Sequence, residues 1–489
     1  MDADVPRRAS ARAGAAGEAA RRYGRTASLL SVAVGVTGFM VYLYFAFASR
    51  ALDPDEYGQI TVLWVAVYFI VATVYRPVEQ LLSRTIAERH AREGFRGRPL
   101  RVAATIEGGI ALTITAAALI LRDPIQDDLL DGDATLYWIF VVAVVAYAAS
   151  FFARGYFAGH RRFGFYSTVL LADALARVGF PLAVLIGIAS GQSVVAIGLI
   201  AGPLTSLAVL PVIVRAVLRG RAQEGSTAGP SADGQPQSSR ADPAAAAERA
   251  PAPEIPEFTL AHGWGFAGSV LLIMLSEQVF LSSGALFVFE ASGAAAAGFI
   301  WNVLMLARAP VYLFQAVATS LLPHLTRLRY RPGSGGEEAF GLSVRITLAA
   351  VLALAVGTAL VVLVAGPTLM QVAFGDNFSY DRAGLLIVTV GMGFYLAAAT
   401  LTQAALAQGQ ARRASIRWIA CAAAFVIWNL LPVLDEFRRV EVGFAGAGAA
   451  LCGLLYLLYR SPRERPEDVV RPGSPEEIEA RIAAADEAS

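Results

Sequence analysis

Lysine is absent from this sequence, so all 40 basic residues are arginines. Histidine and cysteine are scarce, with 4 and 2 copies. The histidines show no metal-ligand spacing, and Cys421 and Cys452 lie in apolar runs, where a cysteine acts as a small buried apolar residue. We therefore expect no metal site and no disulfide framework.

Charge is scarce as well. Only 16% of the 489 residues are charged, whereas 56% are hydrophobic and the mean hydropathy is +0.55. This composition lies outside the range of soluble globular proteins. The apolar residues form runs of roughly 17 to 25 residues, the length that a helix needs to cross a bilayer. Twelve such runs predict twelve spans: 27–48, 60–82, 102–121, 136–152, 167–188, 194–217, 262–285, 299–322, 342–365, 384–406, 416–434 and 443–459.

Arginine is distributed unequally between the two sides of the predicted membrane. The tails and the loops after even-numbered spans hold 31 of the 40 arginines, counting Arg417 at the edge of span 11, and the loops after odd-numbered spans hold 5. We call these sides the Arg-rich face and the Arg-poor face. The positive-inside rule places the Arg-rich face and both termini in the cytoplasm. We expect a multi-pass protein of the inner (cytoplasmic) membrane.

No pattern of an enzyme accompanies these spans. A glycine-rich nucleotide loop is missing, so ATP is not expected as an energy source. The Arg-poor loops are short, the longest being 366–383, and offer no room for a catalytic constellation. We therefore expect a protein that is not an enzyme and needs no cofactor.

The chain is divided by a segment rich in proline, alanine, serine and glycine, a composition that cannot bury a core. We predict an all-α polytopic membrane protein with two six-helix lobes. Its parts are a cytoplasmic N-terminal tail (1–26), the N-lobe (27–217), a disordered cytoplasmic linker (218–261), the C-lobe (262–459) and a C-terminal tail (460–489).

An internal repeat relates the lobes. Gly58-Gln59-Ile60 precedes Leu81-Leu82 by 23 residues, and Gly298-Phe299-Ile300 precedes Leu321-Leu322 by the same spacing. Parallel repeats of this kind are typical of transporters in which the substrate passes between the halves. The lobes are therefore expected to be pseudo-symmetric.

Ionisable residues inside spans are costly, about 2.5 to 3.5 kcal/mol each, and usually functional. Seven form a cluster in spans 2, 3, 5, 7 and 8: Arg76, Glu79, Glu107, Asp173, Arg177, Glu277 and Arg308. The four acids outnumber the three arginines, so the sequence alone does not establish a cationic cavity.

The predicted binding site is built on two polar helix faces. Arg308, Tyr312 and Gln315 lie at i, i+4 and i+7 of span 8 and share one face. Arg76 and Gln80 form a second stripe on the equivalent span 2. A planar guanidinium suits bidentate binding of phosphate oxygens, so a pyrophosphate group is a natural ligand.

Three further residues complete the candidate set. Arg177, near the predicted midplane, is a third binding residue, and Glu277 and Asp173 are candidates for coupling to a proton or Na⁺. Two alternatives stay open. Asp173 and Arg177, at i and i+4, can form a structural ion pair, and Glu277 can be the partner of Arg308.

Four motifs occur in a characteristic order. They are Leu52-Asp53-Pro54-Asp55-Glu56-Tyr57-Gly58, Arg154-Gly155-Tyr156-Phe157-Ala158-Gly159 with Arg162-Phe163, Arg308-Ala309-Pro310 through Leu322-Pro323, and Phe374-Gly375-Asp376. In these motifs the chain resembles the Wzx-type polysaccharide flippases of the multidrug, oligosaccharidyl-lipid and polysaccharide exporter superfamily, over nearly all of residues 25–460.

The resemblance implies lobes that rock between inward-open and outward-open states. It also implies flipping of a polyprenyl-pyrophosphate-linked oligosaccharide to the outer leaflet for cell-surface polysaccharide biosynthesis, without ATP. The expected partners are this glycan, membrane lipids, and a polysaccharide polymerase or glycosyltransferases, with no nucleic acid.

The sequence departs from two other branches of the superfamily. Span 1 contains no charge between Thr26 and Ser49, whereas lipid II flippases place an arginine there and multidrug exporters a cation-binding acid. An ion-coupled drug exporter remains the main alternative, followed by a membrane glycosyltransferase and a non-transporting scaffold.

Overall fold

The computed structural model is all-helical. It describes residues 32–91, 99–160, 162–208, 211, 260–311, 321, 325 and 335–461. Within this part of the chain, eight helices are long and apolar enough to cross a membrane, and shorter apolar helices lie at Ala104–Ile120 and Gln192–Thr205. The linker up to residue 259, the N-terminal tail and the C-terminal tail beyond residue 461 lie outside the described residues.

The helices follow the predicted spans, and each of the twelve spans overlaps one of them. The N-lobe contains α1 Val32–Ala51, α2 Pro54–Ile70, α3 Arg76–Ala91, α4 Pro99–Ile120, α5 Ala134–Gly159, α6 Phe163–Leu185 and α7 Gln192–Ala208. The C-lobe contains α8 Leu260–Ala307, α9 Gly335–Phe374, α10 Arg382–Ala407, α11 Ala411–Leu430 and α12 Glu436–Arg460. The predicted all-α fold of about twelve spans in two lobes is confirmed.

Two helices differ from the predicted spans. α2 and α3 form one span, but a π-helical turn at Val71–Tyr75 joins them. α8 contains predicted span 7 and the start of span 8, and it is interrupted at Gly293, whose φ of 82° and ψ of −174° are accessible in practice only to glycine. The segment 286–298 was expected to be a loop, but helix extends into it from both sides, and the two helices meet at this single glycine.

The outer surface and the core are both apolar. Large side chains such as Ile120 and Val364 are exposed at 82% and 76%, which suits contact with lipid. The main core cluster is continuous across the lobes and includes Phe45 and Trp64 from the N-lobe and Trp301 from the C-lobe. Phe45 packs against Trp301 with ring centroids 5.5 Å apart.

The lobes meet where α2 packs on α8, and the contact depends on glycine. A Cβ placed on Gly58 would lie 1.9 Å from the carbonyl oxygen of Ala294, and one placed on Gly298 would lie 3.1 Å from the Cα of Gly58. The two glycines of the internal repeat therefore let the helix backbones touch. We call this contact, at the Arg-poor end of both helices, the lobe interface.

Three hydrogen-bonding side chains reinforce the lobe interface. The Tyr57 hydroxyl donates to the side-chain oxygen of Asn302, and the Tyr42 hydroxyl donates to the carbonyl of Met305. The guanidinium of Arg50 donates to carbonyl oxygens of residues 372 and 373, in the last turn of α9. Such carbonyls have no partner within their own helix, so Arg50 caps α9 across the two lobes. The structure is thus closed at its Arg-poor face.

Candidate functional site

Arg308 lies beside the lobe interface on the C-lobe side. It directly follows Ala307, the last residue of α8, and is 8% exposed. Its guanidinium carbon lies 4.7 Å from the centre of the Trp301 ring, a cation–π distance. Since Trp301 also packs on the N-lobe, Arg308 is positioned by the same aromatic residue that joins the lobes.

The other polar group of the C-lobe surrounds Tyr395. The Tyr395 hydroxyl, on α10, donates a hydrogen bond to the carboxylate of Glu277 on α8. The charges of both Arg308 and Arg76 act on this hydroxyl. Arg76, the exposed first residue of α3, belongs to the N-lobe. A tyrosine that the sequence analysis missed therefore contacts one of the sequence-predicted residues, Glu277, and lies within electrostatic range of two others, one from each lobe.

Nothing in the sequence singled out Tyr395. It stands in an apolar run of span 10 with no ionisable neighbour along the helix. Its role comes from packing, because α10 lies against both α8 and α12.

Arg177 and Asp173 belong to a separate network inside the N-lobe. Asp173 accepts hydrogen bonds from Arg177 and Arg154, each at 2.6 Å, and the three side chains are at most 8% exposed. Arg177 also donates to the hydroxyl of Tyr147 at 2.7 Å. The structural ion pair that the sequence left open is present. Contact of Arg177 with a substrate, and coupling through Asp173, stay predictions.

The packing around this network is tight. The Arg177 guanidinium lies over the Trp64 ring at 5.1 Å. A Cβ on Gly202 would lie 2.0 Å from the Asp173 carboxylate, so α7 approaches the ion pair closely only because residue 202 is glycine. Buried charges need this degree of pairing, because desolvation otherwise outweighs their attraction.

Sequence reasoning missed Arg154, which it counted among the loop arginines. α5 continues beyond the expected end at residue 152 to Gly159, and this carries Arg154 into the lobe. Added Cβ atoms on Gly155 and Gly159 would lie 2.9 Å from the carbonyl of Glu79 and 2.6 Å from Ile86, both on α3. The Arg-Gly-Tyr-Phe-Ala-Gly motif thus packs α5 on α3. This motif was the feature of the sequence that could have identified Arg154.

A cavity of about 160 Å³ opens beside α3 near the Arg-rich face. It is lined by Glu79, Gln80, Ser83, Ala158, Phe163 and Tyr166. The Tyr166 hydroxyl donates to Glu79 at 2.9 Å. Gln80 therefore borders this cavity, while Tyr312 and Gln315 lie outside the described residues. The described residues contain no group of three or more His, Cys, Asp or Glu that could hold a metal ion.

The Arg-poor face has an ion network of its own. Arg438 on α12 donates to Asp381 at 2.9 Å and to Glu441 at 2.7 Å. Burial alone would raise the pKa of Asp381, but the hydrogen bonds from Arg438 and from the backbone N–H of Gly384 outweigh it and lower the pKa. Asp381 also caps the start of α10, so the network fastens α12 to α10.

Solved structures of membrane transporters share this fold. A point mutant of the Vibrio cholerae MATE transporter VcmN superimposes with a TM-score of 0.57 at 16% identity, covering 89% of this chain and 97% of VcmN. An inward-facing multidrug resistance MATE family transporter of the MOP superfamily gives 0.59 at 13% identity, covering 88% and 97%. A MOP superfamily transporter from Pyrococcus furiosus, described as having a binding pocket of reversed polarity, gives 0.54 at 14% identity, covering 89% and 94%.

These likenesses establish the fold. No protein-family model and no curated protein sequence matches the chain. At identities of 12 to 16%, the structures show that this chain has the fold of MATE transporters. The cargo has to be argued from the site.

Proposed function

We propose that this protein flips a polyprenyl-pyrophosphate-linked oligosaccharide from the cytoplasmic to the outer leaflet by alternating access, in the biosynthesis of a cell-surface polysaccharide. The observation that carries the proposal is that Arg308 and Arg76, one from each lobe, both lie within electrostatic range of the Tyr395 hydroxyl. The two arginines come from equivalent spans of the two lobes. A pyrophosphate offers oxygens to two guanidinium groups at once, and each such charged contact is stronger than a neutral hydrogen bond.

The lobe interface supports the transport cycle. With the lobes closed at the Arg-poor face, the headgroup would enter from the Arg-rich face, where the positive-inside rule places the cytoplasm. Opening of the Gly58 contact would then present the same arginines to the other side. Only a ligand that binds one arrangement of the lobes more tightly than the other can shift their equilibrium. In this proposal the cargo is that ligand.

A leaflet-access assay tests this function. The full-length protein is reconstituted in proteoliposomes with a fluorescent polyprenyl-pyrophosphate oligosaccharide, and a membrane-impermeant quencher reports its passage to the outside. We expect accelerated access, and roughly 10- to 150-fold slower access with Arg308→Ala, the equivalent of losing about 1.5 to 3 kcal/mol of charged hydrogen bonding.

The matched control is Arg345→Ala, which removes an exposed arginine from α9. Arg308→Lys keeps the charge but not the bidentate geometry, so we expect it to restore only part of the rate. No acceleration by the wild-type protein, with an active flippase as the positive control, would refute the cargo assignment. Equal losses in R308A and R345A would refute the role of Arg308.

One observation favours a second candidate, an ion-coupled exporter of organic cations. Glu277, held by the Tyr395 hydroxyl, is an acid that could bind a cationic compound. Overexpression that confers resistance to toxic cations, and loses it with Glu277→Gln, would favour the exporter.

A further inference from the structure

Glu107, on α4, is a buried acid outside the networks described so far. It is 4% exposed, and no described group donates a hydrogen bond to either of its carboxyl oxygens. The charge that acts on it is that of Glu79, which has the same sign. A buried carboxylate without a counter-ion is strongly disfavoured, so the neutral, protonated acid is the form that this environment accepts.

Among the described residues, a tyrosine hydroxyl lies within electrostatic range of Glu107, and no cation does. Tyr75 ends the π-helical turn, is fully buried, and lies within electrostatic range of Glu107. Its hydroxyl also lacks a hydrogen-bond partner among the described residues. α5 also packs on α4, but its Arg154 is bound to Asp173. π-helical turns inside α-helices occur frequently at functional sites.

A cavity lies beside the acid whose charge acts on Glu107. This acid, Glu79, lines the cavity of about 160 Å³ described above. A water occupies about 30 Å³ of liquid volume, so the cavity has room for several. Water in the cavity thus reaches Glu79, which is within electrostatic range of Glu107.

Asp173 makes an instructive contrast. It is as buried as Glu107, at 3% exposure, but two guanidinium groups hold it at 2.6 Å. Glu107 has no such partner among the described residues.

One continuous span connects Glu107 with the lobe interface. Gly58, near the start of α2, touches α8, and the π-helical turn that follows α2 holds Tyr75 within electrostatic range of Glu107. A displacement of α2 against α8 therefore moves the surroundings of Glu107.

We propose that Glu107 is a proton-binding site, filled from water in the Glu79 cavity, and that its protonation is linked to the arrangement of the lobes through the span that carries Gly58 and Tyr75. The carboxylate takes one proton from cavity water and returns it there, with no other reactant. The link to lobe movement rests on the proposed function, whereas the proton site needs no cargo.

Carbodiimide labelling tests the site. Dicyclohexylcarbodiimide, an apolar reagent that adds to protonated carboxyl groups, is applied to the full-length protein in detergent over about pH 5 to 9, and peptides are analysed by mass spectrometry. We expect Glu107 to be labelled at low pH and the labelled fraction to fall about tenfold with each pH unit above its midpoint. A water-soluble carbodiimide that labels the exposed Glu290 verifies the chemistry.

Several results would overturn the site. They are an unlabelled Glu107 at every pH, labelling that does not depend on pH, and protection by Na⁺ at constant pH, which would mark a sodium site instead. Glu107→Gln removes the label while imitating the neutral acid, and Asp173→Asn should leave labelling of Glu107 unchanged.

A second experiment tests the link between protonation of Glu107 and the arrangement of the lobes. Spin labels at Asp128→Cys and Ala291→Cys, exposed positions on the Arg-poor side of the two lobes, report the inter-lobe distance after Cys421 and Cys452 are replaced by alanine. We expect the distance distribution to shift with pH and to lose this dependence in Glu107→Gln. A pH dependence that persists in E107Q would overturn the link. Neither experiment uses the glycan, so a failed flipping assay leaves both interpretable.

Discussion

Replacement of Gly58 by alanine should force the lobes apart at the Arg-poor face. The new Cβ would lie 1.9 Å from the carbonyl oxygen and 2.1 Å from the carbonyl carbon of Ala294. A carbon and an oxygen need about 3.3 Å even in close C–H···O contacts, so α2 and α8 would have to separate by more than about 1 Å. Both sides of this contact are backbone, and no side-chain rotation can relieve it.

Gly58→Ala costs free energy because it overpacks the contact between α2 and α8. Extra methylene-sized groups in a well-packed interior cost about 1 to 3 kcal/mol. Because this contact belongs to the closed arrangement, the cost falls on that arrangement and shifts the equilibrium about 5- to 150-fold toward the open one. Gly298→Ala meets Tyr57 at 2.9 Å, and since a side chain can yield more than backbone, a smaller shift is expected.

The spin-label pair at positions 128 and 291 measures this shift as the growth of a longer-distance population. The matched control is Gly357→Ala on α9, where an added Cβ meets nothing within 4 Å. We expect the order G58A, then G298A, then G357A, with the last equal to the parent. If folded, monodisperse G58A and G298A both kept the parent distribution, the glycine contact would not hold the lobes together.

Two further predictions concern the ion networks. Asp173→Ala should lower the Tm in detergent more than Arg177→Ala, because it leaves two buried guanidinium groups without their carboxylate. Loss of one partner of a buried pair costs about 3 to 5 kcal/mol. An equal or reversed order of the two Tm changes would contradict the network. In the folded protein the pKa of Asp381 is lowered relative to its unfolded value of about 3.9. The pair of Asp381 with Arg438 therefore stabilises the fold fully at pH values above about 3.9, and progressively less as the pH falls below this value. The Tm difference between the parent and Asp381→Asn should therefore be constant near neutrality and vanish in acid, and a difference that grew on acidification would be incompatible with this pair.

Much of the architecture was readable from the sequence. Bilayer thickness sets the length of an apolar run, so the spans follow from hydropathy alone. The repeat of Gly58 and Gly298 also indicated two equivalent lobes. Arg76, Arg308 and Glu277 stood out because an ionisable group in a span is costly wherever it is.

The tertiary structure decided which of these residues meet. Helix packing brings the repeated glycines into direct contact, places Tyr395 against Glu277 and within electrostatic range of the two arginines, and buries Arg154 against Asp173. It also leaves Glu107 beside another acid rather than a described cation. The hydropathy of a segment depends only on the residues of that segment. The pairing and protonation of a buried charge depend on neighbours from other helices, and only the folded arrangement specifies those.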